Sequence, residues 1–133
     1  MSEPLKKSIV RFVRGPANFP VGAGVLVGPR HVITCAHVVN DALGRHADAQ
    51  ERPDAAAQVA FDFPLAAPGT TLRGRVIHWL PRRSNGGDDI AVVELQTAPP
   101  AGAAPAHFVS PAEDVWGHEF RAFGFPQGHP EGR

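Results

Sequence analysis

Apolar residues along this chain come in short runs rich in Val, Ile and Phe, separated by Pro, Gly and polar clusters that leave no room for long helices. The runs at 8–14 (SIVRFVR), 22–28 (GAGVLVG), 31–35 (HVITC), 58–63 (QVAFDF), 71–80 (TLRGRVIHWL) and 89–95 (DIAVVEL) are candidate strands. The expected fold is all-β, and closing these strands into one small barrel removes the edges that loose strands would expose. Gly28-Pro29-Arg30 is a tight-turn signal that joins the second and third runs as a hairpin. A short helix is expected within 36–44 (AHVVNDALG), and 45–57 (RHADAQERPDAAA) reads as a solvated surface loop. The stretch 97–105 (TAPPAGAAP) has the composition of a linker, and one more apolar strand is expected at 119–125 (EFRAFGF).

At 133 residues the chain holds one core, which at this size buries roughly two-thirds of the unfolded surface. Lys plus Arg and Asp plus Glu are both 13, so the formal net charge is zero, and no long-range field favours nucleic acid or an anionic membrane as partner. The start, MSEPLKKSIVRFVRG, lacks the apolar core of a signal peptide, and no run approaches the roughly 18 apolar residues of a membrane span. With one cysteine, Cys35, no intramolecular disulfide can form. These features together make a cytoplasmic location the expectation.

Candidate chemistry lies where strands end. His37 follows the third apolar run, and Asp88-Asp89 opens the sixth after the flexible RRSNGG. A closed barrel can bring residues far apart in sequence to one rim, where a carboxylate would orient an imidazole for acid–base work in nucleophilic catalysis.

GAGVLVGPRHVITCAHVV followed by GGDDIAVVEL resembles the first half of a trypsin/chymotrypsin-fold serine protease, with a Thr-x-Ala-His motif and an aspartate opening an Asp-Ile-Ala strand. RAFGFPQG is similar to the first strand of that family's second barrel. The resemblance implies a chymotrypsin-like six-stranded antiparallel barrel over 1–96, an inter-barrel linker over 97–117, and the incomplete start of a second barrel over 118–133. It makes His37 the general base and acid and Asp89 its orienting carboxylate, preferred over Asp88 because it directly precedes Ile90-Ala91-Val92; Thr34 and Ala36 would hold the turn that presents His37. It implies a protein or peptide substrate, no cofactor, and a regulatory module or the rest of the second barrel following residue 133.

The departures from the pattern are informative. Val38 stands where secreted members carry a half-cystine, and Ile9-Val10 leads into Arg11-Phe12 rather than Gly-Gly, so activation by a cleaved N-terminus is not expected; intracellular bacterial trypsin-like domains are the better match. No Gly-x-Ser-Gly motif is present, the serines being Ser2, Ser8, Ser84 and Ser110. The expectation is therefore a serine endopeptidase whose nucleophile lies outside these residues, inactive by this chain alone. The alternative is a non-catalytic, protease-like module that pairs with a partner through an exposed barrel face.

Other readings are weaker. Cys35 as a nucleophile requires its sulfur to face an imidazole two positions on, and small apolar cysteines usually pack in the core. His31, His37, His46, His78, His107, His118 and His129 match no zinc-ligand spacing. Arg82-Arg83, Lys6-Lys7, Arg11 and Arg14 are balanced by acidic residues and read as solvated faces. Phe61, Phe63, Trp79 and Phe108 read as packing.

Overall fold

The computed structural model describes residues 3–107 and 124–132. Each of the six runs forms a strand: β1 (Ile9–Arg14), β2 (Phe19–Leu26), β3 (His31–Thr34), β4 (Val59–Phe63), β5 (Ala67–Arg82) and β6 (Asp88–Leu95), with a short helix α1 (Glu3–Lys6) before them and α2 (Ala36–Ala42) between β3 and β4. All neighbouring strands are antiparallel, and the sheet closes as β1-β2-β3-β6-β5-β4. The expected all-β, chymotrypsin-like six-stranded barrel is what forms. Because β3 pairs with β6 rather than β4, the chain must cross the barrel end between them, and α2 lies on that crossing.

Two strands run longer than their apolar patterns. β2 begins at Phe19 because Pro20 and Phe19 continue pairing with Val13 and Arg14 beyond a register shift, and a proline is tolerated at such an irregularity. β5 extends over Ala67–Arg82 because it serves two partners, β4 through its first half and β6 through its second, with Gly74 paired to both. A Cβ on Gly74 would sit 2.6 Å from Val93 Cγ1 and 2.7 Å from the Glu94 carbonyl, so only glycine lets the strand bend this closely over β6.

The interior is filled by Val10, Phe12, Leu26, Val32, Phe61, Phe63, Val93 and Leu95, all essentially inaccessible to water. Phe61 anchors it, tilted against Phe12 at 5.5 Å and edge-on to Phe63 at 6.4 Å between ring centroids. On the outside of the β1–β4 pair, Arg11 grips Asp62 through two bonds, Nε to Oδ1 at 3.0 Å and Nη2 to Oδ2 at 2.6 Å.

The described part of the expected linker is pinned rather than loose. The Ala104 N–H donates to the Lys7 carbonyl at 3.0 Å and the Ala106 N–H to the Leu26 carbonyl at 2.8 Å. Further along, Phe125 lies under the Arg11 guanidinium, which also donates to the Pro130 carbonyl. The strand expected at 119–125 lies outside the described residues except for Gly124 and Phe125, which carry no regular structure; Phe108 and the remainder of 97–117 beyond residue 107 also lie outside them.

Candidate active site

The polypeptide leaves β3 extended and turns abruptly into a helix. Cys35 is the N-cap of α2, with φ −85° and ψ 145°, and Ala36 and His37 are the first helical residues. Thr34, buried, fixes the strand end by donating its hydroxyl to the Ala23 carbonyl of β2 at 2.8 Å. Val38 then packs onto β2 where Gly22 leaves space; a Cβ at Gly22 would lie 2.5 Å from Val38 Cγ2. The contact holds α2 against the barrel at the position where the sequence lacks a half-cystine.

Cys35 makes no side-chain cap, so the first N–H groups of α2 need other acceptors. Asp89 supplies one. Its Oδ1 accepts the His37 backbone N–H at 2.9 Å, and its Oδ2 lies 2.6 Å from His37 Nδ1. One carboxylate therefore satisfies a helix end and orients the imidazole of the same residue, leaving Nε2 as the free ring nitrogen on a side chain that is one-third exposed.

The backbone of β6 selects between the two aspartates. Asp88 and Asp89 both have left-handed φ, 61° and 75°, immediately after the β5–β6 hairpin. This kink sends the Asp88 carboxylate outward to Arg83 Nε and the Asp89 carboxylate inward to His37. From Ile90 onward β6 is regular, pairing Ala91 with Thr34 of β3.

Burial alone would push the Asp89 carboxyl upward, but the two His37 hydrogen bonds and the charges of His37 and Arg82 hold it below the usual carboxylate range. The Cys35 thiol is pushed up, first by burial and then by the Asp89 charge, with Arg82 opposing. A raised thiol is a poor nucleophile at neutral pH. Yet Cys35 is not simply core packing: its Sγ, one His37 ring nitrogen and an Asp89 oxygen all lie within 4.8 Å of one another. The change from extended to helical backbone at Cys35 creates this proximity, which residue spacing alone did not reveal.

A groove of about 540 Å³ lies between Phe19, Pro20 and Val21 at the start of β2 and the segment carrying Phe125, Pro126, Gln127, Gly128 and Pro130. His37 does not line it, but Val21 leads directly into Gly22, on which the neighbour of His37 packs. Trp79 is half-buried against the core, donating its indole N–H to the Gln50 carbonyl at 3.0 Å, and Phe61 and Phe63 are core.

A closed antiparallel barrel with a histidine and an aspartate hydrogen-bonded at its rim defines the first-barrel half of a protease-type fold. The chain belongs to the trypsin-like peptidase domain family, whose model matches residues 22–132. It is 31% identical over 91 residues to the inactive CLIP domain-containing serine protease A3 of Aedes aegypti, an alignment covering 68% of this chain and 19% of that protein. Its fold is similar to that of the Vibrio cholerae VesB protease, at a TM-score of 0.57 and 24% identity over 84% of this chain and 33% of that one. A mouse brain serine protease, neuropsin, aligns at a TM-score of 0.49 and 18% identity over 82% of this chain and 46% of its own. The chain thus spans about one-fifth of the curated relative and less than half of either solved structure.

Proposed function

We propose that this chain is the His- and Asp-bearing barrel of a serine endopeptidase, with the nucleophilic serine on a segment beyond residue 133. The observation that carries the reading is the double engagement of His37 by Asp89, at the ring and at the backbone. In such a site His37 Nε2 takes the proton of the serine hydroxyl as it attacks the peptide carbonyl, and returns it to the leaving amine. Asp89 holds the Nδ1–H tautomer and stabilises the imidazolium formed in between. Neither described serine supplies the nucleophile: Ser8 is buried with its hydroxyl donating to the Leu5 carbonyl, and Ser84 belongs to the β5–β6 hairpin loop. Family membership and the protease named among the similar folds support peptides as substrate, and the apolar groove beside Val21 offers room for an extended chain. Further parts of the proposal are a cytoplasmic location, no nucleic-acid or membrane partner, and a second barrel or regulatory module completing the protein.

The test is hydrolysis of an unstructured protein by the gene product carrying this domain with whatever follows residue 133. His37→Ala should lower turnover by about 10⁶-fold, and a fluorophosphonate probe should label one serine beyond residue 133 in the parent and not in that variant. Unchanged turnover in His37→Ala would sink the proposal.

A non-catalytic reading has two observations in its favour. Ile33, Leu80 and Ile90 are each more than 40% exposed on the outer face of β3, β5 and β6, with Leu80 and Ile90 directly paired, and such a patch suits a protein partner. The relative from Aedes aegypti is itself named inactive. This reading expects self-association or co-purification with a second polypeptide and no serine labelling.

A further inference from the structure

We propose that Cys35, His37 and Asp89 form a binding site for a soft divalent cation, with zinc the best-matched ion. The ligand atoms, a sulfur, an imidazole nitrogen and a carboxylate oxygen, already lie within 4.8 Å of one another. Two of them come from one turn of chain at the β3–α2 junction and the third from β6, 52 positions away from His37. Tetrahedral zinc, with bonds of about 2.0–2.3 Å, sets its ligand atoms about 3.3–3.7 Å apart. The His37 Nδ1 to Asp89 Oδ2 separation of 2.6 Å would therefore have to open by under about 1 Å, and the sulfur, at up to 4.8 Å from the other two, would have to close by about 1 Å.

The donor set decides the class of ion. A thiolate with an imidazole selects zinc and its transition-metal neighbours over magnesium and calcium, which take oxygen ligands. Three protein ligands leave the fourth position to water or to a group from a partner. Asp89 can keep one oxygen on the His37 backbone N–H while the other binds metal, so the helix start need not be disturbed.

The proton balance is definite. The cation replaces the proton between His37 Nδ1 and Asp89, and that proton moves to Nε2. The Cys35 thiol gives up its proton to solvent on becoming a thiolate ligand, so one proton is released per ion bound. A ring with metal on Nδ1 and hydrogen on Nε2 cannot accept the proton of an attacking hydroxyl. Zinc would therefore switch off the acid–base function, a consequence that rests on the protease reading; the binding itself does not.

The experiment is titration of the purified 133-residue chain with cobalt(II), a spectroscopic stand-in for zinc, under reducing conditions. One equivalent should give a thiolate-to-cobalt charge-transfer band in the near ultraviolet with strong visible bands of a four-coordinate ion, bleached by zinc and untouched by magnesium. Cys35→Ala should lose the charge-transfer band and bind zinc at least about 100-fold more weakly, since a direct ligand is worth no less than an outer-shell partner. Cys35→Ser, closer in size, should show the same loss, which guards against a misfolded alanine variant. Cobalt binding without that band, zinc binding as strong in the Cys35 variants as in the parent, or no binding would each overturn the proposal. In the full-length protein, chelator-reversible zinc inhibition that Cys35→Ser relieves is expected; a protein without peptidase activity would still give the cobalt spectrum, so the two readings fail separately.

Discussion

Asp89 reaches His37 twice, with Oδ2 at 2.6 Å from ring Nδ1 and Oδ1 at 2.9 Å from the backbone N–H. The geometry requires a proton on Nδ1 and leaves Nε2 to accept. Asp89→Asn would offer an amide N–H towards Nδ1 and reverse that tautomer. Nitrogen chemical shifts of the His37 ring should show Nδ1–H in the parent and Nε2–H in the variant. In the full-length protein turnover should fall by about 10⁴-fold, the effect of a wrong tautomer in such a site.

The pH dependence follows from the same pair. The folded state holds Asp89 below its ordinary value of about 3.9. Its contribution to stability is therefore complete above about pH 4 and is lost as the pH falls through the lower folded value. Urea midpoints measured from neutral to strongly acidic pH should fall more steeply at the acid end for the parent than for Asp89→Asn. Parallel curves would mean that the pairing is not maintained in solution.

Gly22 and Val38 should behave as a coupled pair. Gly22→Ala places a methyl 2.5 Å from Val38 Cγ2 and should cost about 1–3 kcal/mol through overpacking. Adding Val38→Ala should recover about 1 kcal/mol or more of that loss, read as non-additivity in a denaturation double-mutant cycle.

Arg11 and Asp62 test the opposite wall of the barrel. Asp62 is buried, and Arg11→Met leaves its carboxylate without the two guanidinium bonds. The expected loss is about 3 kcal/mol or more in chemical denaturation, and pairing the change with Asp62→Leu should restore most of it, because the charge is removed with its partner.

Much of the fold was legible before any coordinates. Six apolar runs, each too short and too rich in β-branched residues for a helix, became six strands, since barrel strands bury alternate residues whatever their neighbours are. The extensions of β2 and β5 were not legible: Pro20 and Gly69 argue locally against strand, yet Pro20 pairs with Val13 of β1, and Gly69 is carried through an irregularity between the pairings of Ala67 and Thr71 with β4. The linker-like 97–105 hid its backbone bond to Lys7 for the same reason, because its composition says nothing of where its N–H groups find acceptors.

By itself the sequence determined the strand set, the turn at Gly28-Pro29-Arg30 and the presence of a histidine and an aspartate at strand ends, all of which depend on neighbours close along the chain. Tertiary structure alone decided the rest. The left-handed backbone at Asp88 and Asp89 turns one carboxylate outward and the other to His37, and barrel closure carries that carboxylate across 52 positions to a helix start with unmet N–H groups. The same closure brings Asp89 beside Cys35, and the change from extended to helical backbone at Cys35 brings its sulfur beside His37; neither strand pairing nor backbone direction is written in residue spacing.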